Sequence, residues 1–458
     1  MDNNVWEELL KAQKYFFRSG QSRDINFRIA SLNRLKNAIK AHEREVLDAI
    51  YQDLHKAEFD AYATEIGMIY DEINYAVKNL SIWVKPEKVK TPFFMIPAKS
   101  YIQKEPYGTA LIIAPWNYPF QLIMVPLVGA IAAGNTAILK PSEISVHTAA
   151  VIEKIINTTF PKEYLHAVQG NVSVTEELLR LPVDYIFFTG SVPVGKIVMT
   201  AAAGNLTPLT LELGGKSPAI VHEDAHLGNA ARKIAWGKFI NAGQTCVAPD
   251  YVMVHAKIKE AFLEALKKVI IEFYGENAAL HNRYCRIIND RHFQRLSGLL
   301  DAKNIFHGGK TNPADRYIEP TILYPADWQD RIMQDEIFGP ILPVLIYSDL
   351  NDVIDQINKR PKPLSLYLFS EDQLIQKRIT EEIAYGGGAI NSTIVHVASH
   401  FLPFGGVGAS GIGRYHGKAS FDTFTHLKSI VKSPSRFDLG LANPNKNLGL
   451  KWLKLIFK

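Results

Sequence analysis

Apolar positions recur every three to four residues through positions 1–84, with charges between them. The run "SLNRLKNAIKAHEREVLDAIYQDL" is representative and predicts helices. The pattern breaks at "KVKTPFFMIPAKSYIQKEPYG", where prolines interrupt the helical period and favour an extended hairpin or connector. From Thr109 the periods alternate. Short apolar runs "TALIIAP", "NTAILKP", "YLHAV", "DYIFFTG" and "PLTLEL" are separated by helical segments, which predicts a parallel α/β sheet. Gly134 and Asn135 stand where one helix ends and the next strand begins. After Gly214 and Gly215 a second series opens with a helix over 225–239, the strand "YVMVH", a helix near 256–273 and the runs "PTILYP", "ILPVLIYS" and "LSLYLFS". A second α/β domain follows from it, and "GGGAIN" with the glycine-rich stretch after Leu402 leads the chain back across both.

Composition narrows the class. At 458 residues, 47% hydrophobic and 21% charged, the chain is long enough for two or three domains with buried cores. The charge of +5 is the small difference between 51 basic and 46 acidic residues, well mixed along the chain, so no nucleic-acid partner is implied. Two cysteines exclude a disulfide framework and fit a reducing compartment. The start "MDNNVWEELLKAQKYFF" lacks the apolar core of a secretory signal, and no stretch reaches the roughly 18 uncharged apolar residues of a membrane span. A cytoplasmic protein is therefore expected. No metal centre is expected from the 14 histidines and the unpaired cysteines.

Several short stretches carry candidate chemistry. In "KFINAGQTCVAPD", Cys246 sits in a bend of small and polar residues after a helix, where a thiol on a rigid scaffold is a candidate nucleophile and otherwise an inert free cysteine. In "TLELGGKSP", Glu212 ends an apolar strand at the edge where open sheets bind ligands; it reads as a general base, or as a partner of Lys216. In "IIAPWNYPF", Asn117 follows a buried strand between Trp116 and Tyr118, and its amide either holds an oxyanion or caps a turn. "GVGASG" matches GxGxxG but has no strand before it and no helix after it, so it is rejected as a phosphate loop. "FFTGSVPVGKIVMTAAA" has the right context: Gly190, Ser191 and Gly195 lie between a strand and a helix start that can hold a pyrophosphate. Lys140 and Glu143 in "AILKPSE" are candidates for ribose hydroxyls, and Glu336 with Phe338 in "QDEIFGPILP" offer an acceptor and a ring to a second sugar or a nicotinamide.

Together "PWNYPF", "LKPSE", "FTGSVPVGK", "LELGGKSP", "GQTCVAPD", "EIFGP" and "PFGGVGASG" resemble the aldehyde dehydrogenase superfamily over nearly the whole chain, and "AWGKFINAGQTCVAPDY", "RIINDRHFQR" and "PFGGVGASGIGRYHG" resemble its class 3 branch of fatty and aromatic aldehyde dehydrogenases. The resemblance implies an α/β fold with a Rossmann-like cofactor domain (1–84 and 106–212), a second α/β catalytic domain (213–398), a small β-rich bridging element (85–105 and 399–435) and a tail (436–458). It implies NAD(P)-dependent oxidation of medium- or long-chain aliphatic or aromatic aldehydes to acids through a cysteine thiohemiacetal and thioester. Cys246 is then the nucleophile, Asn117 the oxyanion donor and Glu212 the base. Trp116, Lys140, Glu143, Gly190, Ser191, Gly195, Glu336 and Phe338 would bind NAD, with NADP also accepted. Tyr118, Trp236, Ile394, His396 and Phe404 would line the aldehyde pocket. A homodimer is expected. The end "NLGLKWLKLIFK" gathers Lys451, Lys454 and Lys458 on one arc of a helix, which reads as peripheral contact with the inner face of a membrane or packing on a partner subunit. The rival readings are a cysteine-dependent acyltransferase or hydrolase, and a non-catalytic scaffold of the same fold.

Overall fold

The computed structural model describes residues 4–436 together with Asn445 and Lys454. The amphipathic N-terminal region forms helices Asn4–Arg18, Ile25–Ala41 and Glu43–Leu54, then a short helix Glu58–Ala61 that runs through a π-helical turn, Tyr62–Ile66, into the helix Gly67–Trp83. The proline-broken segment that follows is the expected hairpin: β1 (Glu87–Val89) pairs antiparallel with β2 (Lys99–Pro106).

The first alternating series gives β3 (Thr109–Ile113), β4 (Thr136–Lys140), β5 (Leu165–Ala167), β6 (Tyr185–Thr189) and β7 (Leu209–Glu212). These strands are parallel, and all but β5 and the first residue of β7 are buried throughout, as a sheet covered by helices on both faces requires. The helix Gln121–Ala133 is buried at every position and ends at Gly134 in the left-handed region, φ 98°, where the sequence puts its stop.

The second series supplies β8 (Pro218–Val221), β9 (Tyr251–His255), β10 (Ile305–His307), β11 (Thr311–Asn312), β12 (Tyr317–Ile318), β13 (Thr321–Leu323), β14 (Ile341–Tyr347), β15 (Ser365–Phe369) and β16 (Gly387–Ile390). Seven of them form a sheet in the order β10-β13-β14-β9-β8-β15-β16, parallel except for β10. The chain leaves one sheet at Glu212 and enters the other at Pro218, so the glycine pair 214–215 lies between them. The helix read over 225–239 spans Leu227–Phe239, and the one near 256–273 spans Lys259–Tyr274.

The glycine-rich return leads the chain from the second sheet back to the first. β17 (Gly411–Ile412) runs antiparallel to β7, pairing Gly411 with Glu212, and completes the six-stranded order β17-β7-β6-β3-β4-β5. Only β18 (Thr425–Lys432) goes to the small sheet, β1-β2-β18. "GVGASG" thus closes a sheet edge. A Cβ on Gly406 would stand 2.6 Å from the Gly411 nitrogen, too close for any larger residue. Among the described residues no helix is long and apolar enough to cross a membrane.

Candidate active site

Asn117, just past β3, bonds the loop that carries the thiol, and Glu212, the end of β7, lies close enough to act on it. That loop leaves the helix Leu227–Phe239 through three consecutive left-handed residues, Asn241, Ala242 and Gly243, at φ 52°, 51° and 73°. Gly243 is required twice over, by its φ and by its neighbour: a Cβ there would stand 2.5 Å from the carbonyl carbon of Gly339. The cysteine loop and the "EIFGP" turn are thereby packed backbone to backbone. Side-chain amides fix the rest. Asn241 Nδ2 donates to the carbonyls of Asn117 (2.8 Å) and Gln244 (3.1 Å), Asn117 Nδ2 donates to the Gln244 carbonyl (3.0 Å), and Gln244 Oε1 accepts from the Ile288 N–H (3.0 Å). Asn117 is therefore buried beside the thiol loop, with one N–H used locally and a second to give.

Burial governs the electrostatics. It pushes the Cys246 thiol up to about 12, with the Glu336 and Glu212 carboxyls adding to the rise and the backbone N–H groups of Cys246 and Val247 opposing it. Glu212 is raised well above the usual carboxylate range by burial, and neither of its oxygens has a partner among the described residues. Glu336 is pushed up to about 8, first by burial and then by Asp250, while the Gly215 N–H, Lys216 and Lys238 pull it down. Both carboxyls therefore lie close enough to the Cys246 thiol to act on it. Lys216 does not pair with Glu212: its Nζ meets Asp250 Oδ2 at 2.5 Å and the carbonyls of Ile332 and Asp335. Asp250 Oδ1 accepts from the Ile337 N–H (2.9 Å), so this ion pair holds the Glu336 turn. The turn also brings the Glu336 carboxyl onto the glycine pair, where a Cβ on Gly214 would stand 2.7 Å from Glu336 Cδ.

The residues read as cofactor contacts are placed as follows. Ser191 caps the helix Val192–Gly204, the Gly190 N–H donates to the Glu212 carbonyl (3.0 Å), and Gly195 packs on Leu213. Lys140 is buried, with Nζ on the Pro141 carbonyl and on Glu143, whose side chain is exposed. The Trp116 ring lies 5.4 Å from Phe338, edge on, and 4.8 Å from His292. Buried Thr189 Oγ1 at the end of β6 and buried Lys238 Nζ have no partner among the described residues. Unsatisfied polar groups along this crest, with the exposed apolar side chains of Val194 and Ile197 on the adjoining helix, fit a ligand with both phosphate or sugar oxygens and an apolar ring system.

The pocket residues divide. The Tyr118 hydroxyl bonds Thr245 Oγ1 (2.8 Å), directly before Cys246. His396 and Phe404 have ring centroids 6.1 Å apart, and buried Ile394 has φ 50°. Trp236 stands on the helix Leu227–Phe239 and is 37% exposed. Sequence reasoning missed Lys56, Glu65, Asn241, Gln244, Lys238, Asp250, His292 and Tyr415. Of these, only Lys56 and Glu65 stood outside every quoted motif. It also passed over two HxxxH spacings, His222–His226 and His396–His400. Neither is a helical ligand pair: His222 pairs with Asp224, His226 accepts from the Asn229 N–H, His396 meets Ser365 and His400 meets Asp71. Among the described residues no group of three or more His, Cys, Asp or Glu is arranged to hold a metal ion.

The family model described as "Aldehyde dehydrogenase family" matches residues 3–430. The chain belongs to the aldehyde dehydrogenase family. It is 52% identical over 457 residues to the 4,4'-diaponeurosporen-aldehyde dehydrogenase of Staphylococcus aureus (strain NCTC 8325 / PS 47), covering 99% of this chain and 100% of that one. It is 46% identical to the dimeric NADP-preferring aldehyde dehydrogenase of Canis lupus familiaris, covering 93% of this chain and 94% of the relative. A solved structure of the substrate-bound state of Staphylococcus aureus AldH superposes with a TM-score of 0.98 at 51% identity, each chain covered in full. This aldehyde dehydrogenase is an α/β oxidoreductase that oxidises aldehydes with NAD or NADP.

Proposed function

We infer that this enzyme works through a covalent cysteine route, with roles carried by the residues gathered at the cleft. The observation that supports it most is the placement of two carboxyls, the partnerless Glu212 and Glu336, close enough to the Cys246 thiol to act on its ionisation. The Cys246 thiolate attacks the aldehyde carbon, forming the C–S bond, while the carbonyl oxygen becomes an oxyanion held by the Cys246 N–H and the free N–H of Asn117. Glu336 and Phe338 would hold a nicotinamide, which would supply the hydride acceptor. Loss of hydride leaves a thioester on Cys246. Glu212 then takes a proton from water whose oxygen attacks the thioester carbon, the C–S bond breaks, and the acid leaves as the thiolate is restored. Glu212 passes its proton to solvent.

The cofactor reading rests on Trp116, Lys140, Glu143, Gly190, Ser191, Gly195, Glu336 and Phe338, and on assigning residues 1–84 and 106–212 to the cofactor domain and 213–398 to the catalytic domain. The partnerless Thr189 hydroxyl at the end of β6 supports it. Medium- or long-chain aliphatic or aromatic aldehydes are the substrates. Support comes from the apolar and aromatic Tyr118, Ile394, His396 and Phe404, and from a relative named for a 4,4'-diaponeurosporen-aldehyde. A cytoplasmic homodimer is the working form, supported by relatives described as dimeric. The test is NAD(P)H formation on a panel of aliphatic and aromatic aldehydes with wild type, Cys246→Ser and Glu212→Gln. Turnover lost in both, with a single burst of NAD(P)H kept in Glu212→Gln, is expected. Full turnover in Cys246→Ser overturns the reading.

A further inference from the structure

Away from Cys246, a lysine and a glutamate are fully buried against each other: Lys56 Nζ lies 2.8 Å from Glu65 Oε1, and both residues are 0% exposed. Burying such a pair for stability alone is poor design, because desolvation of both ions offsets their attraction and an apolar pair of similar volume serves as well. What distinguishes this pair is where its remaining contacts go. Glu65 Oε2 accepts from the Phe120 N–H at 2.9 Å, and Lys56 Nζ stands 3.9 Å above the centre of the Tyr118 ring. The Tyr118 hydroxyl in turn bonds Thr245 Oγ1 at 2.8 Å, next to Cys246. One carboxylate therefore fixes the Asn117 loop by its backbone and, through Lys56, by its ring. Glu65 reaches this position from the π-helical turn Tyr62–Ile66, a widened turn that interrupts otherwise regular helix and recurs at functional sites.

The geometry points to Lys56 and Glu65 as a positioning pair for the reaction: together they set the loop of Asn117 and Tyr118 against the cysteine loop, so that oxyanion donor and nucleophile keep their mutual placement. This rests on the assignment of Asn117 and Cys246 above. The pair touches neither substrate nor cofactor, and its loss acts through loop placement, where errors near 1 Å cost up to about a hundredfold in rate.

The decisive variant is the charge-neutral double substitution Lys56→Met with Glu65→Gln. It retains volume and an acceptor for the Phe120 N–H but removes the cation from the Tyr118 ring. It is compared with wild type, Lys56→Met, Glu65→Gln and Cys246→Ser for kcat and KM with benzaldehyde and decanal, NAD and NADP binding by tryptophan fluorescence, and thermal melting. Lys56→Met leaves a buried carboxylate without its partner and lowers the melting temperature. The double variant is expected to melt like wild type and bind cofactor within twofold, yet to lose about tenfold in kcat. A structural pair would recover stability and turnover together, so wild-type kcat in a normally melting double variant overturns the inference. Should the double variant fail to fold, Glu65→Gln decides: reduced kcat with unchanged cofactor binding supports the inference, and unchanged kcat sinks it. Cys246→Ser separates the two levels, since full turnover there refutes the nucleophile assignment whatever the pair does.

Discussion

Substituting alanine at Gly243 perturbs the cysteine loop at its tightest point. The left-handed φ of 73° costs an L-residue about 1–2 kcal/mol, and the new Cβ meets the Gly339 carbonyl carbon at 2.5 Å and the Pro340 nitrogen at 3.0 Å. Ordinary contact begins near 3.4 Å, so the cysteine loop and the Glu336 turn must part by about 1 Å. Both neighbours are backbone, with no flexible side chain to yield. The separation moves Cys246 relative to Glu336, and a displacement of that size predicts a fall in kcat of roughly a hundredfold. Gly20→Ala isolates the backbone cost: φ there is 80° and nothing lies within 4 Å of the added Cβ. Gly20→Ala should lose only that backbone cost in urea unfolding, and Gly243→Ala more. Only Gly243→Ala should lose turnover, slow iodoacetamide labelling of Cys246 and weaken cofactor binding. Equal kcat in the two variants refutes the packing argument.

Burial raises both Cys246 and Glu212, and each works as its anion, so the working fraction grows as pH rises towards the raised values; kcat/KM should climb between pH 6 and 8, and a flat profile contradicts this. Glu336, near 8, gains its carboxylate over the same range, so cofactor titrations should tighten severalfold from pH 6 to 9 in wild type and not in Glu336→Gln. Asp250→Asn leaves the largely buried Lys216 ammonium without its counter-ion and should destabilise the protein by about 3 kcal/mol in urea unfolding, with the KM for NAD rising more than that for aldehyde. The lysine-edged end "NLGLKWLKLIFK" lies outside the described residues apart from Lys454; deleting 447–458 should abolish sedimentation with anionic liposomes, and unchanged sedimentation removes the membrane assignment.

Much of the fold was legible because burial on both faces writes itself into sequence. Strands β3, β4 and β6 are apolar runs with no polar alternation, and Gly134 closes its helix at the expected place. The glycine-rich return was read only in part. Its two-residue strand β17 has no hydrophobic period to detect, and its place beside Glu212 is set by the open edge of β7. Short strands such as β11 and β12 escape for the same reason.

Candidate chemistry was legible where one motif carries both a titratable group and its loop, as Cys246 and Glu212 do. It was not legible where a side chain acts across the fold. Lys56 and Glu65 look in sequence like surface charges on an amphipathic helix, the most ordinary setting for either residue. Nothing local marks them as buried, because the groups that enclose them, Tyr118 and the Phe120 N–H, come from a loop more than fifty residues further along the chain. The same reasoning applies to the reactive groups. Desolvation is the first cause of the shifts at Cys246, Glu212 and Glu336, and desolvation depends on neighbours from many segments. Residue types therefore announce which groups can react, while their reactivity is made by the packing around them. That is why a mutation at Gly243, which carries no chemistry, should cost nearly as much rate as the loss of an oxyanion donor.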